Sequence, residues 1–119
     1  PPAWCPQPAD LPGLSAARLA EFALQGDAEA REVFRCSGEY LGRGLAMLVD
    51  ILNPECIVIG GIFSRVEALL RPAMEQSLQA EALPLSLSCC RIVPAALQDK
   101  IGDYAALAVA CGDSLPPRQ

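Results

Sequence analysis

The spacing of apolar residues in the first half of the chain predicts two helices. The first spans residues 16–25 behind Ser15, whose side chain is a good helix N-cap. The second spans residues 28–52 behind Asp27. It is stopped by the pair Asn53–Pro54, because a residue before proline disfavours the helical conformation. The apolar positions of this longer helix recur every three or four residues: Val33, Phe34, Leu41, Leu45, Leu48, Val49 and Leu52.

Three glycines lie in the middle of the longer helix, where each costs about 1 kcal/mol relative to alanine. Gly38 and Gly42 are one turn apart, and Gly44 is nearby. A cost of this size needs compensation, and two explanations fit. Either another helix packs closely against the glycines, which is the explanation that we favour, or a nucleotide approaches them.

A short continuous apolar segment follows the longer helix and ends in two glycines. The β-branched run Ile57–Ile59 predicts a strand over residues 56–59 that is buried on both faces. Gly60 and Gly61 follow at its carboxyl end, which is where ligands bind in open α/β sheets. Glycine has no Cβ, so this corner admits a phosphate close to the backbone, and the next helix directs its free N–H groups there. The block predicts a nucleotide or anion site.

The pattern continues as helix, strand and helix. Ser64 is the predicted N-cap of a third helix that runs to about residue 79, and Pro72 should kink this helix or reset its start. Pro84 breaks the chain, a second strand covers residues 88–93, and a last helix covers residues 101–111. Because a helix separates the two strands, they should pair in parallel through a right-handed crossover. Two parallel strands make a poor sheet alone, so further strands are expected from elsewhere.

Several blocks of the sequence resemble the second half of ROK-family proteins, which comprise sugar kinases and related sugar-responsive repressors. The block LGRGLAMLVDILNPECIVIGG carries most of the likeness. QGDAEAREVF before it and RIVPAALQDKIGDYAALAVA after it agree in order and spacing. The likeness runs from about Leu14 to Ala110. It implies an α/β fold: the C-terminal part of an actin/hexokinase-like (ribonuclease H-like) domain, rich in helix and with a short parallel sheet.

The resemblance also implies a nucleotide site at the double glycine. Gly60 and Gly61 match the family's glycine block, which lies near the phosphates and ribose of ATP or ADP bound with Mg²⁺. We expect Ile62 and Ser64 to border that site. Ile62 stands where the family often has a third glycine, and its branched side chain narrows the loop. Gly102 and Tyr104 on the last helix are further candidates, for the adenine pocket.

No residue of the chain is assigned as a catalytic base. The family's Asp-containing phosphate loop, its catalytic aspartate and its zinc motif have no counterpart here, and the chain contains no histidine. The start at Pro-Pro-Ala-Trp, rather than at Met, supports the interpretation that the chain is a fragment without the catalytic half. The expected partners are the N-terminal half of the same protein or a second copy of this chain, together with a nucleotide and a sugar.

Composition narrows the remaining possibilities. The net charge is −5 and Lys100 is the only lysine, so we expect no direct binding of nucleic acid by this segment. No apolar run reaches the roughly 20 residues of a membrane helix, and no signal segment opens the chain. We therefore expect no membrane partner and a soluble, cytoplasmic protein. Hydrophobic residues make up 52% of the chain, which indicates either an ordinary core or apolar surface that meets a missing half or a second copy.

The cysteines suggest packing rather than chemistry. None of the six forms a Cys-x-x-Cys pair, and Cys89 and Cys90 on a strand would point to opposite faces. We interpret the cysteines as buried thiols that serve as small apolar side chains. We expect no disulfide framework and no metal site in this chain.

Three segments are predicted along the chain. Residues 1–13 form a Pro-rich extended lead-in with little regular structure, residues 14–112 form the α/β domain, and residues 113–119 form a disordered tail. Trp4, the only tryptophan, either pins the lead-in to the domain or is incidental in a flexible arm.

The leading functional interpretation is the nucleotide-facing C-terminal portion of an ATP-dependent hexose kinase of the ROK family. The whole protein would transfer the γ-phosphate of ATP to a sugar hydroxyl, and this portion alone would be inactive. One alternative is a portion of a sugar-sensing ROK-type repressor, which Ile62 favours. The other is a non-catalytic module that dimerises through its apolar helices.

Overall fold

The protein is described by a computed structural model that covers residues 2–97 and 100–112. The predicted tail, residues 113–119, lies outside the described residues. The elements follow one another as a 3-10 helix Pro8–Gly13, α1 Ala16–Leu24, α2 Ala28–Leu52, β1 Cys56–Ile59, α3 Phe63–Glu81, α4 Pro84–Ser88, β2 Arg91–Pro94 and α5 Ile101–Ala110.

The start and end signals of α2 act as the sequence predicts. The Asp27 carboxylate accepts a hydrogen bond from the Ala30 N–H at 2.8 Å, which caps the first turn. Asn53 takes a left-handed conformation with φ of 46° and ends the helix directly before Pro54. In the same way, the Ser15 hydroxyl caps α1 by accepting a bond from the Arg18 N–H at 3.2 Å.

The core lies between α2 and α3, with α1 beside them. Its most completely buried large side chains are Val49, Val66 and Met74. A Cβ added at Gly38 would lie 2.5 Å from the Leu70 carbonyl oxygen, and one added at Gly42 would collide with the Met74 carbonyl oxygen. The two glycines therefore let the backbones of α2 and α3 approach closely, which confirms the packing explanation.

The two strands pair in parallel, as predicted. The register joins Cys56 to Arg91, Ile57 to Ile92, Val58 to Val93 and Ile59 to Pro94. Burial of the sheet is one-sided: Ile57 and Ile59 pack against the core, whereas Val58 is 61% exposed on the opposite face. The prediction of a strand buried on both faces is therefore wrong. Two-sided burial requires a layer on each face, and the core covers only the face that carries Ile57.

Two predictions about α3 need correction. Ile62, not Ser64, is the N-cap, and it contributes no side-chain cap bond, while Ser64 lies inside the first helical turn. The backbone departs from helical geometry at Val66, with φ of −115° and ψ of 18°, whereas Pro72 lies within the helix. The helix therefore breaks at Val66, six residues before Pro72, and not at the proline. The short stretch before Val66 is set apart from the main part of the helix.

The segment after α3 is a helix where the sequence pattern suggested a break and a strand. Pro84 occupies the first turn of α4, a position where its fixed φ suits a helix and its missing N–H costs nothing. The Asp50 carboxylate accepts a bond from the Leu83 N–H at 2.9 Å and anchors the start of α4 to α2. The second strand therefore begins at Arg91 rather than at residue 88, and Cys89 and Cys90 precede it.

The lead-in is also more regular than expected. Pro8–Gly13 forms a 3-10 helix, in which the Asp10 carboxylate accepts a bond from the Gln7 N–H at 3.1 Å. The Trp4 indole N–H donates to the Asp27 carboxylate at 3.2 Å, so the single tryptophan pins the lead-in to the start of α2.

The end of the described chain contrasts with the core. Residues 102–110 of α5 are all exposed, although this helix is made mostly of alanine, leucine and valine. Across residues 2–97 and 100–112, no helix combines the length and apolar character needed to cross a membrane.

All six cysteines are free thiols. Cys5 is buried, Cys36 and Cys90 are half-buried, and Cys56, Cys89 and Cys111 are exposed. The interpretation of the cysteines as buried packing groups is therefore wrong for these last three. Cys56 lies on the uncovered face of the sheet, and Cys111 follows the exposed helix α5.

Candidate functional site

The turn between β1 and α3, which we call the glycine corner, consists of Gly60 and Gly61. Gly61 has φ of +64°, a left-handed conformation that side chains with a Cβ rarely adopt. A Cβ added to Gly61 would meet no atom within 4 Å, and one added to Gly60 would meet only the Ala95 Cβ, at 4.0 Å. The corner is exposed and bare of side chains.

The ends of both strands meet at the glycine corner. The Ala95 N–H donates to the Ile59 carbonyl oxygen at 2.9 Å, which extends the ladder one residue beyond the Pro94 pairing. Because the strands are parallel, their carboxyl ends lie at the same edge of the sheet, which is the edge where open α/β sheets bind ligands.

The first turn of α3 forms the other side of the corner. The Ile62 carbonyl oxygen accepts bonds from the Arg65 and Val66 N–H groups at 2.9 and 3.2 Å. The N–H groups of Phe63 and Ser64 come earlier and have no partner inside the helix. A helix start with such N–H groups favours an anion, so the corner combines open space with donors suited to phosphate.

The four residues predicted for the site are neighbours along the backbone, but their side chains lie against different surfaces. Gly60 and Gly61 form the corner itself. Ile62 is half-buried and lines a cleft against α1 together with Leu24. Ser64 lines a hollow beside Arg71, and its hydroxyl is buried without a hydrogen-bond partner among the described residues.

Arg71 is a residue near the site that the sequence analysis did not single out. Its guanidinium donates to Glu67 at 2.7 Å, to Glu75 at 2.9 Å and to the Ile92 carbonyl oxygen at 3.3 Å. The hydrogen bond that Arg71 donates to Glu75 is the main reason why the pKa of Arg71 is raised, and Glu67 adds to it. Arg71 thus ties α3 to β2 with its charge balanced. The i, i+4 spacing of Glu67, Arg71 and Glu75 was the signal available in the sequence.

Two further requirements of a nucleotide site, ligands for a metal ion and a pocket for adenine, are not supplied by the described residues. They contain no group of three or more carboxylate or thiol side chains placed to hold a metal ion. Tyr104, a candidate for the adenine pocket, is 52% exposed on α5, so that pocket stays a prediction. The corner is open, and any metal ligands would come from a bound ligand or from outside the described residues.

Comparison with protein families gives a match over almost the whole chain. The model of the ROK family matches residues 6–112. The match begins inside the segment predicted as a lead-in and ends at the last described residue.

Curated relatives of the chain are transcriptional regulators. The DNA-binding transcriptional repressor Mlc of Escherichia coli strain K12 is 36% identical over 66 residues, which are 56% of this chain and 16% of Mlc. The dual regulator NagC of the same strain is 34% identical over 65 residues, or 55% of this chain and 16% of NagC. The matched part thus spans about one sixth of the length of these relatives.

Solved structures with the same fold include a regulator and a putative sugar kinase. A ROK family transcriptional regulator, homologous to E. coli Mlc, aligns with a TM-score of 0.64 and 31% identity over 68% of this chain and 20% of its own. A putative sugar kinase from Cytophaga hutchinsonii aligns with a TM-score of 0.70 and 25% identity over 82% of this chain and 32% of its own. The predicted fold class, a helix-rich part of an actin/hexokinase-like domain with a short parallel sheet, is confirmed.

Proposed function

Because this chain belongs to the ROK family, we propose that it forms the nucleotide-facing C-terminal portion of a sugar kinase. The observation that carries the proposal is the glycine corner: Gly61 is left-handed, the space beside it is open, and the ends of both strands meet there. The putative sugar kinase supports it, since that structure aligns over a larger share of this chain than the solved regulator does.

In this proposal the chain binds and orients phosphates through its backbone. Gly60 and Gly61 leave room for a phosphate to approach, and the first N–H groups of α3 donate hydrogen bonds to it. ATP with Mg²⁺ would supply the phosphoryl group that a kinase transfers to a sugar hydroxyl. The sugar-binding residues and the group that accepts the hydroxyl proton would come from outside this chain, so the chain alone would not phosphorylate sugar.

Binding of Mg-ADP tests the proposal, with isothermal titration calorimetry as the measurement. Gly60→Val is the informative variant, because a side chain at Gly60 has room beside Ala95 but fills the corner. We expect Gly60→Val to weaken Mg-ADP binding by at least tenfold, or about 1.4 kcal/mol, without lowering the melting temperature. Gly13→Val is the matched control, since Gly13 also has open space around it but lies before α1.

Two results would overturn the kinase proposal. One is that the protein containing this chain does not bind Mg-ADP at millimolar concentration. The other is that Gly60→Val and Gly13→Val bind Mg-ADP as tightly as the unmodified protein does.

The second candidate is a portion of a sugar-responsive transcriptional regulator. One observation favours it: the curated relatives Mlc and NagC are regulators. In that case the whole protein would bind a sugar without binding Mg-ADP, and it would not consume ATP when sugar is added. Coupled measurement of ADP release with a panel of hexoses separates the two candidates.

A further inference from the structure

A shallow hollow of about 500 Å³ lies where the lead-in meets the start of α2. Most of its wall is apolar, and two exposed carboxylates complete the lining. The lining residues are Pro2, Trp4, Ala28, Glu29, Glu32 and Val33. We call this feature the Trp4 hollow. It shares no residue with the glycine corner, so what it binds is independent of the proposed nucleotide site.

The walls of the Trp4 hollow are held in place by the chain itself. The Cys5 N–H donates to the Pro2 carbonyl oxygen at 3.0 Å, which closes a turn around Trp4. The Cys5 side chain is buried, and the Trp4 indole N–H donates to the Asp27 carboxylate at 3.2 Å. One edge of the indole is therefore fixed while the side chain lines the hollow. A rigid aromatic wall reduces the conformational entropy that is lost when a ligand binds.

The Trp4 hollow carries a surplus of negative charge. Glu32 is balanced by Arg35, whose guanidinium donates to it at 2.7 Å. Glu29 makes no hydrogen bond or ion pair with any residue that the structure describes. Asp27 accepts only from uncharged donors, the Trp4 indole and a backbone N–H. An unpaired carboxylate beside apolar walls fits a ligand that places a cation next to an apolar body.

The lining favours a peptide over a small cation. Sites for small organic cations surround the charge with several aromatic side chains, whereas Trp4 is the only aromatic residue of the Trp4 hollow. The hollow is also open along the surface, and four of its six lining residues are apolar. An extended segment that crosses this surface contacts both the apolar wall and Glu29.

We propose that the Trp4 hollow binds a proline-rich peptide segment that carries an arginine and belongs to a partner protein. Such segments dock on aromatic side chains, and their polyproline II conformation is already formed in the free peptide, so little entropy is lost on binding. In this complex the prolines lie against Trp4 and Val33, and the arginine pairs with Glu29. Residues 115–118 of this chain, Leu-Pro-Pro-Arg, have the required composition and give the sequence of a probe.

Titration of Trp4 fluorescence tests the proposal, because Trp4 is the only tryptophan of the chain. The probe is acetyl-Leu-Pro-Pro-Arg-amide, which contains no tryptophan. The protein is the Arg118→Gln variant, so that its own Pro-Pro-Arg does not compete. We expect a saturable change with a dissociation constant between about 10 µM and 1 mM, since the contact is small. A probe with glutamine in place of arginine should bind about three- to fivefold more weakly, because an exposed ion pair contributes little.

Two substitutions in the protein locate the contact. Glu29→Gln should weaken binding of the arginine probe by about three- to fivefold and leave binding of the glutamine probe unchanged, because the two changes remove the same ion pair. Val33→Arg fills the hollow with a cation and should weaken binding of the arginine probe by about tenfold or more. Because Val33 is 40% exposed, the melting temperature should stay the same. Glu21→Gln is the matched control, since Glu21 is an exposed glutamate on α1 outside the hollow.

Four results would overturn the proposal. The first is an unchanged Trp4 emission up to about 5 mM arginine probe. The second is equal binding of the arginine and glutamine probes. The third is a change of the same size with arginine amide alone, which would assign the hollow to a small cation. The fourth is a loss of binding in Glu21→Gln as large as that in Glu29→Gln.

Discussion

The contact between α2 and α3 and the region formed by α5 and the outer face of the sheet are both apolar in sequence, but only the first is packed. Met74 and Val49 are fully buried between the two long helices. Val58 on the sheet and Leu107 and Val109 on α5 are 60% exposed or more. The difference lies in whether the described chain contains the partner surface, and not in the hydrophobicity of the segments.

This contrast assigns different tasks to the two regions. The α2–α3 pair holds the chain together, because backbone contact at Gly38 and Gly42 and the buried side chains around Met74 form one continuous core. The sheet and α5 present apolar surface and the glycine corner outward. Substitutions in the contact between α2 and α3 should therefore destabilise the chain, whereas those on α5 and on the outer face of the sheet should leave its folding almost unchanged.

The largest expected effect comes from truncating a buried side chain. Met74→Ala should lower the free energy of unfolding by about 2–5 kcal/mol, since it removes a fully buried side chain and leaves a cavity. Leu107→Ala removes an apolar side chain that is 60% exposed on α5 and should change the free energy of unfolding by less than about 0.5 kcal/mol. Urea denaturation of the chain measures both. A comparable loss in the two variants would contradict the division into a packed and an unpacked region.

Two glycines of one helix sharpen the comparison inside the packed region. Gly42→Ala forces a Cβ against the Met74 carbonyl oxygen and should destabilise the chain by about 1–3 kcal/mol despite the better helix propensity. Gly44→Ala is the same substitution two residues away, where a Cβ meets no atom within 4 Å. In dilute protein it should stabilise the chain by up to about 1 kcal/mol. Effects of the same sign would show that the α2–α3 contact is looser than described.

Local signals were sufficient to predict the elements whose ends are set by their own residues. Asp27 and the Asn53–Pro54 pair define α2, and the β-branched run Ile57–Ile59 defines β1, because caps, proline and branching act within a few residues. The position of the glycine corner could be predicted as well, because its two glycines are a local signal directly after β1. Its identity as a nucleotide site stays a prediction, since that depends on groups outside the described residues.

The errors arose where packing or context decides the outcome. In the sequence, Pro84 is compatible with a break or with the first residue of a helix. The hydrogen bond from the Leu83 N–H to Asp50, a residue distant in sequence, supports the helix. Ser64 is a good cap by residue type, but α3 begins before it. The exposed face at Val58 could not be predicted either, because periodicity indicates which residues can be buried and not whether the covering layer belongs to the same chain.

The smallest effect concerns two cysteines at the start of the two strands, Cys56 in β1 and Cys90 directly before β2. Burial raises the pKa of the Cys90 thiol, and a negative charge on Cys56 raises it further. Cys90 lines a second hollow, which it forms with Arg71 and Leu87, whereas Cys56 is exposed on the outer face of the sheet. Because the thiolate is the reactive form, iodoacetamide at pH 8 should alkylate Cys90 several-fold more slowly than Cys56, as measured by peptide mass spectrometry.

The pH dependence of the alkylation rate separates the effect of the raised pKa of Cys90 from the effect of its lower solvent access. The folded protein favours the protonated thiol of Cys90, so this contribution to stability is complete below the thiol's ordinary pKa and is lost as pH rises through the raised value. Over the same pH range the thiolate fraction of Cys90 approaches one. The alkylation rates of Cys90 and Cys56 should then differ only by the part that is caused by the lower solvent access of Cys90. A ratio that is independent of pH would assign the whole difference to access and none to the raised pKa. Equal rates at pH 8 would show that Cys90 is as accessible and as reactive as Cys56.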